Sequence, residues 1–185
     1  GVFDTTAATF SFFKNEQYNN YSFPGNSNAH AIYVAGQQVF IGSDYGLSLI
    51  TPSSNMFRFY LCYDKTQKDT TVSMISAVIP KLKDSIIYFG TYYRSGLFEY
   101  HLAKGLIKKY NSPKIDYPEH IYDFMPSLSS NDTFYLATVR GLKAFDMRNK
   151  KIINPANLPN GLQEILKNKL LFKFYRDRNN QLWIG

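Results

Sequence analysis

Residues 87–91 read Ile87-Tyr88-Phe89-Gly90-Thr91, and the same apolar run ending on a small residue returns at Val39-Phe40-Ile41-Gly42-Ser43, Phe134-Tyr135-Leu136-Ala137-Thr138 and Leu182-Trp183-Ile184-Gly185. Aligned on the small residue, the copies stand 48, 47 and 48 residues apart. A fixed period of this length marks a repeat architecture, in which each unit buries its faces only against its neighbours. A second run follows the first three copies at Gly46-Leu47-Ser48-Leu49-Ile50, Gly96-Leu97-Phe98-Glu99-Tyr100 and Gly141-Leu142-Lys143-Ala144-Phe145-Asp146, and the opening Gly1-Val2-Phe3-Asp4 matches it. Upstream of each copy lies another run, at Ala31 to Val34, Met74 to Ile79, Ile121 to Met125 and Leu171 to Tyr175. Gly36-Gln37, Lys83-Asp84, Asn131-Asp132 and Asn179-Asn180 join these to the copies, and Gly, Asn and Asp tolerate the positive dihedrals of tight hairpin turns. A fourth run closes each unit, at Thr9 to Phe13, Met56 to Leu61, Leu106 to Tyr110 and Lys150 to Asn154. The runs are short, rich in aromatic and branched residues and bounded by turn formers, which is how strands read.

Four short antiparallel strands in such a period make one propeller blade, so the fold predicted is all-β, about four blades' worth of a β-propeller over residues 1–185. Residues 1–15 would supply the outer strands of one blade, 28–62, 72–111 and 119–155 three complete blades, and 170–185 the inner strands of another. The ends could meet to close a four-bladed ring, or the chain could be an open arc of a larger one; the start at Gly1, without methionine, favours the arc. The glycine opening each third strand suits a bulge or a close backbone approach, and the aromatic two places before the small residue is expected to fill the space between blades. Leu162, Ile165, Leu166 and Leu170 fall at near-helical spacing after Asn160-Gly161, and Lys14 to Asn28 reads as an irregular connection.

Composition agrees. Aromatics make up 17% of the chain, with 15 Tyr and 15 Phe, which favours strands. A net charge of +7 suits an anionic partner, but apart from Lys108-Lys109 and Lys150-Lys151 the basic residues are scattered, as on an ordinary solvated surface. They do not line up with aromatics on one strand face, which argues against nucleic acid. One cysteine, Cys62, excludes an internal disulfide and is expected to be buried and inert. Residues 1–185 do not open on a basic n-region followed by an apolar h-region, and no run in them approaches the length a membrane span needs, so any targeting or anchoring segment would lie outside them.

Little in the chain suggests chemistry. His30, His101 and His120 sit at different points of the repeat, without the companions of a metal site. His120, Asp116 and Asp123 are the nearest thing to a cluster, but His120 and Asp123 are an odd number apart and would point to opposite faces of a strand. Four glutamates and ten aspartates leave room for a glycosidase pair that sequence alone cannot place. No phosphate loop, nucleophile elbow or Cys/His nucleophile motif occurs, so the segment reads as non-catalytic, with no cofactor and no metal.

Arg176-Asp177-Arg178-Asn179-Asn180-Gln181-Leu182-Trp183-Ile184-Gly185, read with Asp44-Tyr45-Gly46-Leu47, resembles the repeat of the two-component regulator propeller family, D-x-x-G-x-L-W-I-G-T followed by G-L and an aromatic-Asp pair. The likeness runs through nearly the whole chain in four registers. Only the last has the family's tryptophan, Trp183; Phe40, Tyr88 and Tyr135 replace it elsewhere, Ala137 replaces one glycine and Asn180 another. The resemblance implies a periplasmic sensor built of seven-bladed propellers, the ectodomain of an inner-membrane protein followed by one membrane span and a histidine kinase. Many such proteins are hybrid two-component regulators of gut Bacteroidetes that detect oligosaccharides and control polysaccharide-utilisation genes.

A ligand of such a propeller belongs on the face where second-to-third strand connections meet those between blades. Those connections hold Tyr45, Tyr92, Tyr93, Arg94 and Arg140, the candidate contacts, because tyrosine rings stack on sugars and arginine pairs with carboxylate or sulfate. The partners expected are an oligosaccharide, possibly acidic, and a second copy of the chain; a membrane would be met only through the parent protein. The alternative is a non-catalytic carbohydrate-binding or protein-interaction propeller unconnected to a kinase.

Overall fold

The computed structural model describes residues 2–4, 6–11, 28–44, 46–51, 56–61, 74–92, 96–104, 106–110, 120–127, 130–155, 158 and 161–185. Within them the protein is all-β but for one short helix and one 3-10 turn. A two-stranded sheet, β1 (Val2–Asp4) and β2 (Thr9–Ser11), comes first. Three four-stranded sheets follow: β3 (Ala29–Ala35), β4 (Gln38–Ser43), β5 (Gly46–Thr51) and β6 (Met56–Leu61); β7 (Ile75–Lys81), β8 (Ile86–Thr91), β9 (Leu97–His101) and β10 (Leu106–Tyr110); and β11 (Ile121–Pro126), β12 (Thr133–Thr138), β13 (Gly141–Asp146) and β14 (Lys151–Ile153). Helix α1 (Leu162–Leu166) leads to a last pair, β15 (Phe174–Arg176) and β16 (Leu182–Ile184). Each sheet is antiparallel and ordered as in sequence. The expected connection Lys14 to Asn28 lies outside the described residues except for Asn28, and so does Cys62.

The repeat acts through the two faces of the second strand. Two places before the small residue, Phe40, Tyr88 and Tyr135 point forward into the space before the next sheet and are buried there, as expected of them, whereas Trp183 at the same place in the fourth copy is exposed. One place before it, Phe89, Leu136 and Ile184 point back into the cluster shared with the preceding sheet. Thus Phe40 joins Ile75, Val78, Ile87 and Phe89 in one core, and Tyr88 joins Ile121, Phe134, Leu136 and Phe145 in the next. A period of two along the strand makes one run of sequence serve two cores.

The small residue sets how closely sheets approach. A Cβ on Gly90 would lie 2.7 Å from Ile121 Cγ2 and 2.8 Å from Ile121 Cβ, and one on Gly42 would lie 2.5 Å from Ile75 Cγ2. Strand β7 therefore nestles on β4, and β11 on β8, at a distance only glycine allows. The third-strand glycine does separate work. Gly141 has φ +100°, and a side chain there would collide with the Leu166 carbonyl. Beside each of these glycines a buried hydroxyl closes the turn: Ser43 donates to the Gly46 carbonyl (3.0 Å), Thr91 to that of Gly96 (3.2 Å) and Thr138 to that of Gly141 (2.8 Å).

Two elements differ from the sequence reading. Helix α1 ends at Leu166 instead of running to Leu170, because Lys167 turns extended and bridges to Gly141 while the Asn168 amide donates to the Arg140 carbonyl. The strand expected at Leu171 to Tyr175 begins at Phe174, since the amides of Phe172 and Lys173 both donate to the single Gly185 carbonyl.

Candidate functional site

The first strand of each four-stranded sheet carries an irregularity at its start. Pairing with the second strand slips between Ala29 and Ala31, between Ile75 and Ala77 and between Ile121 and Asp123, so His30, Ser76 and Tyr122 are extra residues in their strands. Bulges re-aim side chains, and these three lie at one end of the sheets, where second strands turn into third strands. The same end is stitched by the amides of Asp44, Tyr92 and Val139, which donate to the carbonyls of Asn28, Met74 and His120. Phe172, beside the shared Gly185 carbonyl, stands at the matching place in the last sheet.

Four rings gather there. Tyr92, just beyond β8, lies with its ring centroid 5.5 Å from that of His120 and 5.4 Å from that of Tyr122, and Tyr122 lies 4.8 Å from Phe172. The pairs are tilted or edge to face, the arrangement the ring quadrupole favours. Burial holds the His120 imidazole below its ordinary pKa, so it is neutral at neutral pH. The row is half-buried up to Phe172, which is 49% exposed. Beneath it Asp123 ties two sheets together: it accepts the Phe174 amide (3.0 Å) and lies 3.7 Å from Lys173 Nζ.

In the β3–β6 sheet the same end is polar. Asp44 accepts the backbone and side-chain amides of Asn28 (2.8 and 3.1 Å) and pairs with His30 Nε2 at 2.6 Å. The backbone hydrogen bond from Asn28, then that from His30, holds its carboxyl below the usual range.

Of the five candidate contacts, Tyr92 stands in the aromatic row. Arg140 lines a different feature, a cavity of about 210 Å³ shared with Lys143, Asn154, Glu164 and Lys167 beside α1. Tyr45, Tyr93 and Arg94 lie outside the described residues, as does Asp116. Tyr122 and Phe172 are not among the residues singled out in the sequence, and His120 is singled out there only with Asp116 and Asp123. The even-odd argument that separated His120 from Asp123 assumed an unbroken strand, and the bulge at Tyr122 changes that parity. The available signal was the fixed interval of 46 residues linking His30, Ser76 and Tyr122. No group of three or more metal-ligating side chains occurs among the described residues, and no described helix is long and apolar enough to cross a membrane.

Rings presented in a row can stack on the apolar faces of a flat or cyclic ligand. No protein-family model matches the chain, and no curated protein matches it in sequence. Solved structures do match. One is the extracellular domain of BT3049 from B. thetaiotaomicron, provisionally described as a hybrid two-component system (18% identity, TM-score 0.65, covering 94% of this chain and 23% of that one). Another is the extracellular domain of BT4673 from the same organism, provisionally described as a one-component or a hybrid two-component system (18% identity, TM-score 0.60, covering 92% and 21%). The chain thus spans between a fifth and a quarter of those domains. The computationally designed protein Ika4 also matches (12% identity, TM-score 0.54, covering 92% and 98%). At these identities the likeness is one of fold.

Proposed function

We propose that this chain is part of a β-propeller in the ligand-sensing, periplasmic ectodomain of a membrane-spanning two-component histidine kinase, each four-stranded sheet being one blade. The segment itself is non-catalytic. It takes an oligosaccharide at the end of the sheets that carries Tyr92, His120, Tyr122 and Phe172, and binding there shifts the receptor towards a signalling state that regulates polysaccharide-utilisation genes. The observation carrying this reading is the aromatic row, in which the bulge residue Tyr122 stands between Tyr92 and Phe172. The fold shared with extracellular domains of two-component systems supports its setting.

The experiment is calorimetric titration of the protein with neutral and acidic oligosaccharides. Binding that weakens several-fold in Tyr92→Ala and Phe172→Ala supports the row as the site. A further loss in Arg140→Ala confined to acidic sugars assigns that arginine to an anionic substituent. Absence of heat with every sugar rejects the reading in favour of a propeller that binds protein.

A further inference from the structure

The end of the sheets opposite the aromatic row departs from the repeat. Between first and second strand the chain has two residues in the β3–β6 sheet (36–37), four in the β7–β10 sheet (82–85) and six in the β11–β14 sheet (127–132). A hairpin needs only the shortest of these, and residues added to a connection are free to serve binding. The two longer connections flank a cavity of about 580 Å³, within the range of small-ligand sites. All its described lining residues but Tyr33 belong to the β7–β10 and β11–β14 sheets, and each of those has a neighbouring sheet packed on both faces. The cavity lies inside the repeat and not at either end of the chain.

Two features stiffen its walls. Pro80 and Pro126 stand 46 residues apart, at matching places in the edge strands β7 and β11, where a residue without an amide hydrogen leaves no donor unpaired and fixes the backbone. Lys81 Nζ donates to the Asn131 carbonyl (3.0 Å) and so ties one connection to the other. The chemistry of the lining is mixed. Ile79, Phe134 and Met147, which pack together in one core, make an apolar floor. Around it stand the hydroxyls of Ser127, Ser130 and Thr133, the ammonium groups of Lys81 and Lys83, and one carboxylate, Asp84. Lys81 retains ammonium hydrogens beyond the one given to Asn131, and Lys83 makes no ion pair among the described residues.

We propose that this cavity is a second ligand site, and that it takes a small cyclic polyol carrying one anionic group, a sugar acid or a sugar phosphate. The anion pairs with the ammonium groups of Lys81 and Lys83, whose charge exceeds that of Asp84. The ligand's hydroxyls meet Ser127, Ser130 and Thr133, and the apolar face of its ring lies on Pro80, Pro126 and Met147. The proposal does not depend on the ligand reading of the aromatic row, which stands at the other end of the sheets.

Calorimetric titration with glucuronate and with glucose 6-phosphate tests it, with glucose and inorganic phosphate as controls. At least one of the two anionic sugars is expected to bind, and the tighter of them identifies the anionic group. Both controls should bind several-fold more weakly or not at all. Lys83→Ala, a change on an exposed turn, and Lys81→Ala should each weaken binding several-fold with circular dichroism unchanged, while Phe172→Ala should leave it as it is. The proposal is overturned if neither sugar binds, if inorganic phosphate binds as tightly as the sugars, if binding survives both lysine changes, or if it is lost in Phe172→Ala, which would assign it to the aromatic row.

Discussion

Replacing Gly90 by alanine should be costly although Gly90 has an ordinary strand dihedral and the change adds one methyl group. The new Cβ would sit 2.7 Å from Ile121 Cγ2, 2.8 Å from Ile121 Cβ and 3.2 Å from the Ile121 carbonyl oxygen, where carbon atoms prefer about 3.5–4.0 Å. Rotating Ile121 about χ1 can remove Cγ2 from the contact but not Cβ, so the β7–β10 and β11–β14 sheets must part and loosen the core of Tyr88, Phe134 and Phe145. Overpacking of this kind costs about 1–3 kcal/mol. Alanine's smaller unfolded-state entropy returns at most about 1 kcal/mol. A net loss of about 1 kcal/mol follows, or a fall in Tm of roughly 2–4 °C for a chain of this size. Urea unfolding followed by circular dichroism, with a thermal scan, measures both. The second variant is Gly90→Ala with Ile121→Leu. At the matching place in the next pair of sheets Ala137 shares a core with Leu171, which carries no Cγ2, and the double variant should recover part of the loss. A Gly90→Ala protein as stable as the wild type would refute the idea that this position sets the spacing of the sheets.

A polar strut joins the same two sheets near their outer strands: Lys150 Nζ donates to Glu99 Oε2 (2.6 Å) and to the Tyr88 hydroxyl (2.8 Å), and the Tyr110 hydroxyl donates to Glu99 (3.0 Å). Lys150 is 36% exposed, so solvent weakens the pair, and a double-mutant cycle of Lys150→Ala with Glu99→Gln should return a coupling of about 1 kcal/mol; additive losses would show that the strut is not a unit. Burial works against the Glu99 carboxylate, but hydrogen bonds from Lys150 and Tyr110 hold its pKa below the ordinary value, so the strut's contribution is present at neutral pH and is lost as pH falls through the acid range, a loss absent from Glu99→Gln in acid titration. In the last hairpin Asp177 accepts the amides of Asn179 and Gln181 and the Trp183 indole N–H (3.1 Å). Asp177→Ala should shift the fluorescence of Trp183, the chain's one tryptophan, and speed amide exchange at Gln181, whereas an unchanged emission spectrum would mean that the indole is placed without it.

The hairpin of Asp177 also explains why the motif that suggested a family looks as it does. The aspartate caps the turn and holds the indole, the position filled by Asn180 has φ 65°, and the small residue at its end recurs where neighbouring sheets touch. Such requirements are local, and local requirements leave a readable pattern.

The sequence by itself determined that the chain is all-β and cut into units of four strands, because strand alternation and turn chemistry act over a few residues and recur at a fixed interval. It also placed Phe40, Tyr88 and Tyr135 in the cores, though not Trp183, which is 60% exposed, and Tyr92 among the candidate contacts. The tertiary structure alone decided which glycine spaces the sheets, since Gly90 and Ile121 are 31 residues apart and meet only when one sheet lies on another. It decided, too, that His120, Tyr122 and Phe172 gather around Tyr92 while Arg140 turns to a cavity beside α1. A bulge inserts one residue into one strand and reverses the direction of every side chain counted across it, so the alternation by which a strand is read fails at that point.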